Sequence, residues 1–365
     1  MVQILGRVQI GVGVLAGMVS AAALLPGQVA PPTSAPVTSR PADSALRVAW
    51  RYAMPLGSEA AVSADEQMAY FGDHGGNVVA LRLADGKPAW KAKVQASITS
   101  APGAGGGRVF AGDDAGVLHA FSQADGKPVW TFKSEDKIIG RPAVVGDRVL
   151  FGSYDRNVYC VRAADGKELW RYQTGAQVHA GIWVGGEIAV VSGCDAKLRA
   201  LAIADGARRW ETELPGQVAM TPVEQGGVLY LATMSGTLCA VGMRKGEVIW
   251  QNDLKDVTDL TACPAAVGDR VIYVTDSGTL ISQAMADGKT VSWPTLPGRP
   301  GVRLLAVGGT VLAGCDDGRV YTLDPAKGSI VSRATVGGEV RSIYPTARGV
   351  VAATAEGVIW LLERK

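Results

Sequence analysis

The chain has 365 residues, 47% of them apolar and 19% charged, which places it among globular proteins with ample length for one large core. Its 36 Lys and Arg nearly balance 34 Asp and Glu, for a formal charge of +2, so nothing in the charge argues for a nucleic-acid partner. The 47 glycines suit a fold with many tight turns, because glycine adopts positive φ without steric cost.

The first residues differ from the rest. Arg7 precedes an apolar run over residues 8–25, and a stretch rich in Pro, Ser, Thr and Ala follows it. Residues 1–30 read as an export signal or membrane anchor, and residues 31–44 as a linker. Ala30 is a candidate cleavage point with Gln28 a poor fit before it; a run of 18 apolar residues also just spans a bilayer, so an uncleaved anchor is the alternative.

From there the sequence repeats. Trp50, Trp90, Trp130, Trp170, Trp210 and Trp250 stand 40 residues apart, and Trp293 follows out of phase. A turn glycine tracks them at Gly86, Gly126, Gly166, Gly206 and Gly246. Within residues 98–133 the pattern reads as four short segments, ITSAPGA, RVFAGD, VLHAFS and PVWTFK, separated by Gly and Asp turns. Four alternating strands per 40 residues form a blade, and the repeat predicts an all-β propeller of four-stranded antiparallel blades. A parallel β-helix is the runner-up, disfavoured by its shorter coils and lack of a regular Trp.

Third strands are expected at 77–83, 117–122, 157–162, 197–202, 237–242, 279–284, 319–324 and 358–363, which makes eight blades over residues 45–365. The last unit stops after its third strand, whereas the segment 46–50 is a fourth strand with nothing before it. The N-terminal strand should therefore complete the last blade and remove an open sheet edge.

No Trp is followed by Asp and no Gly-His pair occurs, so the WD pattern fails. The turns instead resemble the tryptophan-docking motif of the PQQ-type, quinoprotein-like propellers: Ala80, Gly86, Lys87 and Trp90 fall at its offsets, as do Ala120, Gly126, Lys127 and Trp130. Cys160 takes the Ala position before Gly166 and Trp170. What the resemblance implies is a packing role, with each Trp wedged between neighbouring blades near the Ala and over the Gly turn. It does not extend to PQQ chemistry. Those enzymes carry an adjacent Cys-Cys pair and long insertions; this chain has no such pair and near-minimal blades, so no cofactor and no enzymatic activity is expected.

Five cysteines, 160, 194, 239, 263 and 315, fall in five different units, with no CxxC zinc spacing. Asp residues recur at one hairpin per blade, as in Asp113-Asp114, Asp195, Asp276 and Asp316-Asp317, where an Asx-turn is the expected role. First strands should line the central channel, mostly with small or apolar residues such as Thr99-Ser100-Ala101-Pro102. Four residues depart from that pattern: Arg141, His179, Arg303 and Arg341. Repeat phase sets them at similar heights, as a basic patch for a partner's carboxylates or backbone carbonyls, unless each Arg simply pairs with an acidic turn.

A signal-like segment, a linker and one bare ring resemble the layout of the propeller lipoproteins of outer-membrane β-barrel assembly. That resemblance implies an exported, non-catalytic scaffold that binds a protein partner in the periplasm or cell envelope. No Cys follows the apolar run, so anchoring through a lipidated Cys is not expected, and the membrane is reached only through an uncleaved N-terminus. The alternatives are a quinoprotein-type dehydrogenase and a small-ligand-binding sensor.

Overall fold

The computed structural model describes residues 46–54, 61–254, 257, 260 and 262–364. The signal or anchor and the linker lie outside the described residues. Eight four-stranded antiparallel sheets follow one another around a ring, and no helix occurs among the described residues. Blade two shows the unit: Gly103–Gly105, Arg108–Gly112, Val117–Ser122 and Pro128–Lys133, joined in sequence order. The expected third strands agree with the observed ones to within one residue.

First strands of blades one to six are shorter than the sequence pattern suggested, whereas Pro300–Val307 and Val340–Thr346 run eight and seven residues. In blade two only Gly103–Gly105 pairs, not the whole of ITSAPGA. Pro102 has no N–H to give to a ladder, and the Ile98 amide instead donates to the Asp73 carbonyl of blade one. That segment thus ties one blade to the next before the strand begins.

The core lies in the middle of each blade. Second and third strands are buried along nearly their whole length, as in Val228–Ala232 and Thr237–Gly242, because a neighbouring blade covers each face. Fourth strands alternate between covered and exposed positions, as rim strands with one face in solvent must.

Ring closure follows the sequence expectation. Leu46–Ala53 pairs antiparallel with Val358–Arg364, so the eighth sheet runs Val340–Thr346, Gly349–Thr354, Val358–Arg364, Leu46–Ala53. The first and last parts of the ring share one blade.

Successive blades meet through the tryptophans. Trp90 lies opposite Ala80 in its own blade, and its ring covers Gly126 of the next: a Cβ on Gly126 would sit 2.6 Å from the ring. The indole Nε1 donates to the Gln123 carbonyl at 2.9 Å. The same arrangement recurs from Trp50 on Gly86 to Trp250 on Gly288, with Nε1 bonds to the carbonyls of Leu83, Ala163, Ile203, Met243 and Met285. Trp293 differs: it meets Gly328 with the pyrrole edge, Cδ1, Cγ and Nε1, rather than the benzo ring. At the junction of blades seven and eight the Trp position holds Ser332, and the fourth strand of blade eight comes from the other end of the chain, so no hairpin glycine exists there. An apolar cluster containing Leu46, Leu312, Val340, Ile343 and Leu362 joins those two blades instead.

Candidate functional site

Residues of all eight blades surround one central cavity of about 480 Å³, within the size range of small-molecule sites. Its wall is mostly small or apolar, including Val62, Ala101, Ile139, Ala180, Met220 and Ile343. Arg141, His179 and Arg303 line it, and among the described residues no Asp or Glu does.

The ladder explains which of the four predicted residues come together. Each blade has a rung defined by its Trp position: Ala143–Leu150–Cys160–Trp170 in blade three, Leu305–Leu312–Thr322–Ser332 in blade seven, Tyr344–Val351–Leu361–Trp50 in blade eight. Arg141 and Arg303 both stand two residues before the rung and are equivalent. His179 stands four before its rung residue Trp183. All three line the cavity. Arg341 stands three before, at a register shift between Val340 and Ser342, and is not among the lining residues. The irregularity turns it out to Glu339, 3.0 Å away. Among the described residues, Arg141, His179 and Arg303 share the cavity wall and Arg341 does not, and of the three arginines it is Arg341 that pairs with an acidic neighbour.

Arg141 reaches across the channel to blade eight. Its Nη1 donates to the Tyr344 hydroxyl at 3.0 Å, and its guanidinium carbon lies 4.9 Å from the ring centroid. The Arg303 guanidinium approaches the same ring at 6.0 Å. Two cations from opposite directions thus converge on one tyrosine. Neither makes an ion pair among the described residues, and the Arg141 Nε is buried without a hydrogen-bond partner. Ser100, 3% exposed, lines the same cavity with a hydroxyl that is also unpartnered. His179 sits 3.4 Å from the Cys194 sulfur, and burial lowers its pKa, so it adds no charge at neutral pH. Sequence reasoning set Ser100 in the channel wall only as one of its small residues, and it missed Tyr344. Tyr344 alone carried a signal: an aromatic residue at a rung position filled by Ala143 and Leu305 in the other Arg-bearing blades.

The five cysteines are all free, and burial raises the Cys194 thiol, which stays protonated at neutral pH. The hairpin aspartates act as expected where they are seen: Asp113 accepts from the Ala115 and Val117 amides, and Asp317 from the Arg319 amide. They also hold side chains of the third strand, among them His119, Tyr159 and Tyr321.

Blade four uses the same position for a buried ion network. The Arg199 side chain is 5% exposed and lies between Asp195, at 2.6 Å, and Glu211, at 2.8 Å. Hydrogen bonds from Lys197 and Arg199 hold the Glu211 carboxyl at about 2, against an ordinary 4.5. A depressed carboxylate contributes stability that is complete above its unfolded pKa and is lost as pH falls through the folded one. In acid titration the parent should lose this contribution between about pH 4.5 and 2, and Glu211→Gln should lose less over that range. Arg199→Met, which leaves Glu211 to Lys197 and Arg208 and Asp195 to the Gly175 amide, should cost about 1.5–3 kcal/mol at neutral pH in denaturant titration. A cost below about 1 kcal/mol would show that water already serves those groups.

The profile of the PQQ-type repeat family described as outer membrane protein assembly factor BamB matches residues 43–138, 76–219 and 114–334. The chain belongs to the BamB family. The crystal structure of BamB from Moraxella catarrhalis superposes with a TM-score of 0.76 at 19% identity, over 87% of this chain and 99% of that one. Sqt1 from Saccharomyces cerevisiae superposes with a TM-score of 0.75 at 15% identity, over 88% of this chain and 100% of that one. Quinohemoprotein alcohol dehydrogenase from Comamonas testosteroni gives 0.69 at 15% identity, over 87% of this chain and 76% of that one. At these identities the three superpositions speak for the eight-bladed ring, and membership of the BamB family rests on the sequence profile. No curated protein sequence matches the chain.

Proposed function

We propose that this chain is a non-catalytic scaffold that binds protein partners of outer-membrane assembly in the periplasm or cell envelope. The observation that carries the reading is the BamB profile, whose overlapping matches span seven of the eight blades. The likeness to Moraxella catarrhalis BamB supports it: that chain is covered at 99%, so this ring matches nearly all of it. An export signal or uncleaved anchor over residues 1–30, followed by a linker, is part of the same proposal. The test is purification of the tagged full chain from envelopes of its own cells after mild cross-linking. Subunits of β-barrel assembly should be enriched over a tagged export control. A folded, exported chain that enriches none of them would overturn the reading.

A second reading, a quinoprotein-type dehydrogenase, has the likeness to the Comamonas testosteroni enzyme behind it. The two separate cleanly in a dye assay. With PQQ and Ca²⁺ supplied, the purified chain should not reduce an electron-accepting dye with primary alcohols or aldoses. Turnover above the protein-free control would favour the dehydrogenase.

A further inference from the structure

The cavity at the centre of the ring has a chemistry that a scaffold does not require. Its arginines, Arg141 and Arg303, come from blades three and seven, and no carboxylate among the described residues of the wall answers them. Both are held near Tyr344 by ring contacts, and Arg141 also by one hydrogen bond. A guanidinium has five N–H donors in a fixed fork. The Arg141 Nε remains unpartnered, as does the Ser100 hydroxyl in the same wall. Buried polar atoms without partners are costly, a cost that an oxyanion reaching them would offset. Beyond these groups the wall is hydrocarbon: Val62, Ala101, Ile139, Met220 and Ile343.

We propose that this cavity binds a small organic carboxylate, its head held between Arg141 and Arg303 and its apolar body packed against the hydrocarbon wall. A planar carboxylate matches the guanidinium fork, and both arginines line one volume beside Tyr344. The volume of about 480 Å³ fits a compact ligand rather than a folded partner. The site is independent of partner binding in the envelope and stands or falls separately.

Benzoate is the probe, with benzamide as its neutral counterpart, read by calorimetry on the full chain. Benzoate should bind with one site and a dissociation constant below about 1 mM, and benzamide should not bind. Arg141→Gln and Arg303→Gln should each weaken benzoate by at least about tenfold, since a charge-assisted hydrogen bond is lost. Arg341→Gln, outside the cavity, should leave it unchanged. Thermal melting confirms the fold of each variant, and Arg303→Gln carries the test alone if Arg141→Gln does not fold. No benzoate binding, equal binding of benzamide, or equal binding by the two cavity variants would overturn the proposal. Tighter binding of inorganic phosphate would overturn the apolar body. Tighter binding of Ala-Ala-Phe with a free C-terminus than of its amide and of benzoate would replace the small molecule by a chain end.

Discussion

Deleting Leu46–Ala53 should abolish cooperative unfolding of the ring or lower its melting temperature by more than about 10 °C. The strand supplies the outer ladder of blade eight, seven residues of which pair with Val358–Arg364. It also carries Trp50, whose ring covers Gly86 and whose Nε1 bonds the Leu83 carbonyl, so its loss opens the junction with blade one as well. The strand Val358–Arg364 would become an unpaired edge able to recruit a second molecule. Calorimetry and size-exclusion chromatography check both effects. A truncated ring that melts within a degree or two of the parent and stays monomeric would show that the ring does not depend on closure.

Removing a buried indole should have the next largest effect. Trp170→Ala should cost about 3–5 kcal/mol in denaturant titration, because it leaves a cavity between two blades and frees the Ile203 carbonyl. Gly206→Ala attacks the same contact from the other side. Its φ of +74° disfavours a side chain, and the added Cβ would stand 2.7 Å from the Trp170 ring. The double variant should cost less than the sum of the two, since both remove one contact. Trp293→Ala should cost less than Trp170→Ala, as its ring meets Gly328 through the pyrrole part and is only half-buried. Equal costs at the two positions would mean that the indoles do not set the blade contacts.

Much of the ring was legible because its repeat is written in residues with strong local meaning. Trp marks a rung, Gly marks a turn that needs positive φ, and alternating apolar residues mark the strands between them. The closing strand was legible from arithmetic, since one incomplete unit at each end makes one blade. Most first strands were not, because in a segment such as 98–104 the residues look like strand while Pro102 has no N–H to give and the Ile98 amide bonds blade one. The channel was legible only in part. Arg141 and Arg303 were found as departures from a small-residue pattern, and the structure makes them equivalent. Arg341 lies outside the cavity wall, beside a register shift in blade eight, and a single-residue slip carries no composition signal. Tyr344 was missed because contact between blades three and eight spans 203 residues of sequence, which no local pattern encodes.

The seam between blades seven and eight bears on the order in which the ring is made. Leu46–Ala53 precedes every other strand, yet its ladder partner Val358–Arg364 is the final one. The earliest strand must wait, unpaired, until almost the entire ring has left the ribosome. Seven blades can assemble by local contacts along the way, but the eighth depends on a pairing with about the largest sequence separation that the ring offers. Such pairings form late and slowly, since loop-closure entropy is lost before any contact repays it. A nascent chain released early would therefore be an open arc with its last edge bare, and full-length synthesis is itself the step that commits the ring to closing.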